Sequence, residues 1–232
     1  MRNNLILVTG ATGFVGSHLC SRLKAENCEL RCSERNRFST ENSVVVGDIG
    51  PDTQWGEALT DVYTVVHLAA RAHIMKDEVP DPLTEYRKVN VDGTLNLARQ
   101  AAEAGVKRFI FISSIGVNGN VNTRPFTEKD TPNPSEPYAQ SKWEAEQGLW
   151  QIQQETGMEV VIIRPPLVYG PNAPGNFATL LRLVEKGLPL PLGAVHNKRS
   201  LVALDNLVDL IVTCIDHPAA ANQVFLAGDG ED

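Results

Sequence analysis

No apolar run in this sequence approaches the ~20 residues that a helix needs to cross a bilayer, so no helical membrane span is expected. The Met1-Arg-Asn-Asn start carries no basic segment followed by a long apolar stretch, so no signal peptide is expected either. Cysteine is scarce. Cys20, Cys28, Cys32 and Cys214 fit neither zinc-ligand spacing nor a disulfide framework, and reduced, mostly structural thiols in a cytoplasmic protein are the expectation. His18, His67, His73, His196 and His217 are scattered as well, which argues against a metal site. Surplus positive charge is also missing. With a net charge of −7 and a pI of about 5.3, the chain has neither the basic balance of a nucleic-acid groove nor a polybasic membrane anchor. An anionic ligand would have to be met by individual arginines and by helix N-termini.

What is present is an ordinary globular composition. The 232 residues are 42% hydrophobic and 21% charged, enough for one sizeable core with room for a small appended lobe. The chain is organised around Val8-Thr-Gly-Ala-Thr-Gly-Phe-Val-Gly16. This stretch follows Leu5-Ile-Leu-Val8, a short buried strand by pattern, and precedes Phe14, Val15, Leu19 and Leu23 at helical spacing. Strand, glycine turn and helix form the context in which Gly-x-x-Gly-x-x-Gly counts as a dinucleotide fingerprint. Gly10 can take the tight turn, Gly13 lets the backbone approach a pyrophosphate, and Gly16 lets the helix pack close to the strand. Free N–H groups and the helix dipole at that point favour phosphate charge.

Leu30-Arg-Cys-Ser-Glu34 reads as a second, more polar strand, ending eighteen residues after Gly16. A carboxylate there can accept hydrogen bonds from adenosine ribose hydroxyls, favouring NAD, whereas a nearby arginine can hold the 2′-phosphate of NADP. Arg35 and Arg37 follow Glu34 at once, so both cofactors stay open, with a lean towards NAD. Further strands are expected at Ser43–Gly47, Tyr63–Leu68, Arg108–Ile112 and Val160–Ile163, and helical stretches over 82–105 and Tyr138–Thr156. This alternation predicts an α/β fold, a doubly wound parallel sheet covered on both faces, with its ligand outside the carboxyl ends of the strands. Gly10, Ala69 and Ser114 map to that edge, and the small Ala69-Ala70 pair would let a flat cofactor lie close to the backbone.

Residues 117–137 form a proline- and asparagine-rich loop whose length suggests a function. Composition shifts again from Asn172. Residues 1–171 are therefore expected to be the nucleotide-binding Rossmann domain and 172–232 a partial, small C-terminal substrate lobe, with some elements returning to the first domain. Within 172–232, Asn176–Lys186 and Asp205–His217 look helical, Ser200–Ala203 extended, and Val224–Ala227 a last strand.

Tyr138-Ala-Gln-Ser-Lys142 is the second anchor. On a helix, positions four apart share a face, so the phenol and the ammonium project together. A lysine cation near a tyrosine lowers the phenol's pKa, which suits a general acid or base near neutrality. Lysine is also long enough to reach a ribose hydroxyl. Ser114, at the end of the fifth strand, can hydrogen-bond a substrate oxygen.

Together these motifs resemble the extended short-chain dehydrogenase/reductase family, in its nucleotide-sugar epimerase/dehydratase branch. The matching stretches are 9–16, Asp48-Ile49, His-Leu-Ala-Ala at 67–70, Asn-Val-Asp-Gly-Thr at 90–94 and Ser113-Ser114. Tyr138 with Lys142, Arg-Pro-Pro-Leu-Val-Tyr-Gly-Pro at 164–171, and Arg199 with Asp205 complete the set. The resemblance implies that Tyr138 is the catalytic acid/base, that Ser114 polarises the sugar oxygen, and that Lys142 holds the nicotinamide ribose and tunes Tyr138. It implies a cofactor site formed by Gly10, Thr12, Gly13, Phe14, Val15, Gly16, Glu34, Arg35, Asp48, Ile49, Leu68, Ala69, Ala70, Lys142, Pro165 and Val168. It places Asn176 and Arg199 on the nucleotide diphosphate of the sugar and gives Asn90 a mainly structural part. A homodimer paired through the long helices is implied as well.

Three departures shape the functional expectation. Val117-Asn118-Gly119 stands where the family often has Val-Tyr-Gly, so the sugar pocket differs in shape. Family dehydratases carry an Asp-Glu pair just after the serine or threonine. Here Ile115-Gly116 stands in that place, and neither residue can move a proton, which argues against 4,6-dehydration. Similar proteins also continue beyond Gly228-Asp-Gly-Glu-Asp232, so the chain is expected to stop inside the sugar lobe. The expected activity is at C4 of a UDP-sugar, a UDP-glucose or UDP-N-acetylglucosamine 4-epimerase. Pro-Leu-Pro-Leu-Gly at 189–193 and Ser-Ile-Gly-Val-Asn-Gly look like bacterial surface-polysaccharide enzymes of that kind. A reductase of UDP-4-keto-6-deoxy sugars is the alternative, and a non-catalytic NAD(P)-sensing module the alternative of another class. A pure sensor would need none of Ser114, Tyr138 and Lys142.

Overall fold

The structure, a computed structural model, describes residues 4–36, 42–72, 81–174, 176–187 and 198–230. Arg37, His73, His196 and the 189–193 stretch lie outside them. β1 (Leu5–Thr9) runs through the middle of a sheet, with Leu7 and Val8 fully buried. The glycine turn leads into α1 (Phe14–Ala25), followed by β2 (Leu30–Glu34), β3 (Ser43–Val45), the short α2 (Gly56–Leu59) and β4 (Val62–His67). The helical pattern over 82–105 is three consecutive pieces: α3 (Pro82–Arg87), a π-helical turn (Lys88–Gly93) and α4 (Thr94–Glu103). Asp81 starts it, accepting the Thr84 N–H at 3.3 Å, and Pro82 fits the first turn because its missing N–H is not needed there. β5 (Arg108–Ile112) and a 3-10 turn (Ile115–Val117) follow, then α5 (Pro137–Thr156), which ends at Gly157 with φ +75°.

The chain continues through β6 (Glu159–Arg164), β7 (Leu167–Tyr169), α6 (Asn176–Glu185), β8 (Leu201–Ala203), α7 (Leu204–Asp216) and β9 (Gln223–Leu226). Seven strands form one parallel sheet in the order β3-β2-β1-β4-β5-β6-β9, and β7 pairs in parallel with β8. Strand order reverses between β1 and β4, where Val8 lies opposite Val66. A doubly wound sheet binds its ligand at this switch point.

The two-residue period of the strands sends alternate side chains to two cores. Ile110, Ile112, Val161 and Ile163 pack with Leu19 and Leu23 of α1 and Leu207 and Ile211 of α7. Phe109, Phe111, Val160 and Ile162 pack on the other face with Leu97 and Ala101 of α4 and Ala145 and Leu149 of α5. Of the described residues after 200, those of α7 and β9 thus build onto the seven-stranded sheet, while β8 pairs with β7. α7 covers the same face as α1, and β9 extends the sheet beside β6 through Ile162 opposite Val224. Asp229 holds this return in place. Its carboxylate accepts the Ala203 N–H at 3.0 Å, at the start of α7, together with the Asn206 amide at 2.7 Å and the Tyr169 hydroxyl at 2.8 Å.

Candidate active site

Gly10 has φ +70°, and a Cβ there would lie 2.8 Å from the Ala69 nitrogen. Only glycine lets the tips of β1 and β4 come this close. The junction is stitched from both sides. Ala69 N–H donates to Thr9 Oγ1 at 3.2 Å, Leu68 N–H donates to Thr9 O at 3.3 Å, and Thr9 Oγ1 is 2.7 Å from His67 Nδ1. The other ring nitrogen of His67 lies 3.0 Å from Thr94 Oγ1 at the start of α4. Burial, with help from the Lys142 ammonium, pushes the His67 pKa down to about 3, so the ring is neutral and serves as a strut.

Gly13 caps α1 with extended backbone and, being glycine, makes no side-chain cap bond to the first turn. Thr12 and Gly13 are exposed, Phe14 and Val15 half-buried, and Gly16 buried. Uncapped N–H groups at the open end of a twelve-residue helix suit a diphosphate, so these residues fit a dinucleotide. At the end of β2, the Arg35 Nε lies 2.8 Å from Asp48 Oδ1, both side chains largely exposed. Arg35 is therefore turned to a carboxylate beside Glu34, which fits NAD better than a 2′-phosphate. Ile49 packs under the π-helical turn, where a Cβ on Gly93 would meet its Cγ2 at 2.7 Å. An open cavity of about 770 Å³ flanks this edge, walled by Val44, Val46, Asp48, Ile49 and Lys88; the catalytic candidates do not line it.

Ser114 has extended backbone, and its Oγ accepts the Gly116 N–H at 3.1 Å, just past the carboxyl end of β5. Tyr138 lies in the first turn of α5, half-buried, its ring edge-on to Tyr86 at 5.9 Å between centres. Lys142, one turn on, is buried to 1% exposure. Its Nζ donates to Ile112 O at 2.8 Å and lies 4.4 Å from the Phe111 ring centre and 5.9 Å from that of Tyr138. The expected lowering of the tyrosine does not occur in this arrangement. Burial, with Tyr86 adding to it, pushes the Tyr138 hydroxyl up to about 12. Burial also pulls the Lys142 ammonium down to about 7. Among the described residues, the hydrogen bond of the Lys142 ammonium goes to the Ile112 carbonyl and not to the phenol, whose desolvation is not offset.

Asn90 is buried in the π-helical turn. Its Oδ1 accepts the Arg71 N–H at 2.9 Å, and its amide donates to Arg71 O at 3.1 Å and Ser141 Oγ at 3.0 Å. The Ser141 hydroxyl donates to Tyr138 O at 2.7 Å, so the chain after β4 is tied to the catalytic turn. π-helical turns often mark functional positions. Pro165 is buried and its carbonyl accepts the Ile115 N–H at 3.0 Å, while Val168 is half-buried in β7 opposite Val202. Asn176 opens α6, and its side chain lies outside the described residues. Arg199 is exposed just before β8, which starts at Leu201.

Four residues without an expected chemical role turn out to join these parts. Glu146, fully buried on α5, accepts the Ser113 hydroxyl at 2.5 Å. It also accepts Arg164 Nε at 3.0 Å and Arg164 Nη2 at 2.5 Å. Arg164 Nη1 donates to Asn118 Oδ1 at 2.9 Å, and the Asn118 amide donates to Thr127 O at 3.1 Å. The spacing carried one signal: Glu146 continues the Tyr138, Lys142 face by another four residues.

A doubly wound sheet with a glycine-turn phosphate cradle and a Ser, Tyr and Lys at the same carboxyl edge defines a nucleotide-dependent short-chain dehydrogenase/reductase. The model of the NAD dependent epimerase/dehydratase family matches residues 6–228, and the chain belongs to that family. A UDP-glucose 4-epimerase of Vibrio cholerae is 52% identical over 233 residues, covering 98% of this chain and 71% of its own. Among solved structures, the UDP-glucose 4-epimerase of Thermotoga maritima with UDP-glucose is 27% identical with a TM-score of 0.81, covering 98% of this chain and 77% of its own. A short-chain dehydrogenase/reductase superfamily protein of Agrobacterium tumefaciens with bound NAD is 25% identical with a TM-score of 0.76, covering 98% and 78%.

Proposed function

We propose that the chain is an NAD-dependent UDP-sugar 4-epimerase acting on a UDP-glucose or UDP-N-acetylglucosamine type of substrate. The observation that carries the reading is the convergence of Ser114, Tyr138 and Lys142 on the strand edge that also holds the uncapped α1 N-terminus. The 52% identical epimerase supports it. Bound NAD supplies the group that takes a hydride from the sugar and returns it. The chain's own residues do the rest. The α1 N-terminus and the Gly10–Gly16 turn hold the diphosphate, Glu34 the adenosine ribose, and Asp48 and Ile49 the adenine. Ser114 Oγ hydrogen-bonds the C4 oxygen, and Tyr138 removes and returns its proton.

With the phenol pushed up to about 12, the tyrosine is protonated at neutral pH and needs a cation nearby to act as base. Lys142 is that cation once its ammonium turns from Ile112 O towards the ribose and the phenol. Arg199 and Asn176 take the sugar nucleotide's diphosphate, where a guanidinium matches phosphate oxygens two at a time. Ile115 and Gly116 supply no acid or base after Ser114, in keeping with epimerisation over dehydration. Pairing of two copies through α5 and a cytoplasmic setting belong to the same reading. Among the described residues, no helix is long and apolar enough to cross a membrane.

The test is to denature the purified protein, identify the released nucleotide, and follow UDP-glucose conversion by NMR of the anomeric proton. Released NAD with appearance of the 4-epimer supports the reading. An empty site that accepts NADPH and reduces a 4-keto sugar would replace it by a reductase.

A further inference from the structure

Glu146 takes no part in the proton chemistry above, yet it is fully buried one turn beyond Lys142. Burying a carboxylate and a guanidinium is costly, and an apolar pair of similar volume is often as stable or more so. Its partners explain its place. Ser113 adjoins Ser114 at the end of β5, Arg164 closes β6, and Asn118 anchors the 117–137 loop through Thr127. The backbone runs in parallel: Ser113 N–H donates to Ile163 O at 2.7 Å, and Ile115 N–H to Pro165 O at 3.0 Å. One carboxylate thus links the catalytic helix to both strand ends and to the loop above them.

Resting on the roles given above to Ser114, Tyr138 and Lys142, we propose that Glu146 is a positioning residue. Its carboxylate fixes the register of α5 against the ends of β5 and β6, and it supplies the counter-charge that keeps the neighbouring Lys142 ammonium protonated. Among the described residues, the groups facing Lys142 leave this task to Glu146. From β4 comes neutral His67, from β5 the Phe111 ring and the Ile112 carbonyl, from α5 the protonated Tyr138, with Tyr86 of α3 behind it. Arg164 of β6 is a second cation, held on Glu146. Burial pulls Lys142 down to about 7, and Glu146 is the charge that opposes the fall.

The experiment follows thermal unfolding of the purified full chain against pH, with turnover of UDP-glucose in parallel. A lysine with a folded pKa of about 7 and an unfolded value of 10.5 binds fewer protons folded than unfolded between those limits, so stability rises with pH across the window. Subtracting a Lys142→Met curve isolates that rise from other titrating groups. With Glu146→Gln, compared with Glu146→Gln/Lys142→Met, the onset moves down by about one pH unit or more, tenfold in proton affinity. The alkaline limb of kcat moves with it. A Glu146 that is only structural would lower the unfolding temperature at every pH and leave the onset in place, and that result overturns the proposal. If Glu146→Gln does not fold, Arg164→Gln carries the test with the opposite sign: the carboxylate then faces Lys142 alone and the onset moves up, and an unmoved onset is again fatal. Absence of turnover in the parent protein would count against the epimerase reading and leave the stability result to decide the role of Glu146.

Discussion

Gly16→Ala and Gly13→Ala separate the two jobs of the glycine turn. The Gly10 carbonyl oxygen accepts the Gly13 N–H at 3.0 Å, and the same oxygen would lie 2.1 Å from a Cβ on Gly16. The other atoms in reach are Ala11 Cα and Gly10 C, both at 2.9 Å. All three belong to the backbone and cannot swing aside as a side-chain tip can. Reaching ordinary contact at 3.4 Å requires α1 and the turn to part by about 1.3 Å. Overpacking of this kind costs about 3 kcal/mol, at the upper end of the usual range. Better helix propensity of alanine returns up to ~1 kcal/mol. The net ~2 kcal/mol corresponds to a melting temperature lower by about 4–8 °C for a chain of this size. Gly13 differs: its backbone is ordinary for any residue, and a Cβ would meet only Gly10 O, at 3.2 Å. Gly13→Ala therefore keeps stability within about 0.5 kcal/mol. Its methyl group stands where a diphosphate must approach, so NAD affinity drops about tenfold or more, at least ~1.4 kcal/mol. Melting curves with and without NAD read both effects. Parent-like melting of Gly16→Ala, or a full NAD-induced rise in Gly13→Ala, would refute this division of roles.

Tyr138→Phe keeps NAD binding and loses turnover by about 10²–10⁴-fold, measured on UDP-glucose; unchanged turnover removes the residue from proton transfer. His67 has a folded pKa of about 3 against an ordinary 6.5, so the unfolded chain binds one more proton between those values and stability falls on acidification through that window. His67→Gln should flatten that acid slope by up to ~1.4 kcal/mol per pH unit in pH-dependent melts, and an unchanged slope would mean the ring is charged in the fold. Arg199 is exposed, so Arg199→Ala should leave the melting temperature unchanged and raise KM for the UDP-sugar by about tenfold or more. A parent-like KM would take Arg199 out of the pocket.

The sheet was legible because its signal is local. Arg108-Phe-Ile-Phe-Ile112 alternates between two cores whatever its neighbours are, and the flanking helices repeat every three to four residues. Two features were not local. A single π-helical turn slips the helical face by about one residue, too small a shift to read from the few apolar positions around Lys88–Gly93. The residues after Asn172 differ in composition from those before, but composition says nothing of docking. The leucines of α7 choose the α1 side of the sheet, and β9 joins β6, through contacts between residues tens of positions apart.

The site divides in the same way. Gly10, Ser114, Tyr138 and Lys142 stand out because each has a fixed place relative to a strand end or a helix face. Spacing settles where a side chain starts, and a lysine with four methylenes still chooses its partner in the fold. Here it chose Ile112 O, and the tyrosine went up in place of down. Glu146 and Arg164 are the converse. Their partners come from a strand end, a helix and a loop, so no window of sequence contains the network, and Asn118 looks like a gap in a family motif until Arg164 is seen to hold it. A charged residue on the buried face of a catalytic helix is itself a signal, since burial without a partner would cost several kcal/mol. At Glu146 that signal points away from the reacting atoms and towards the residues that hold them still.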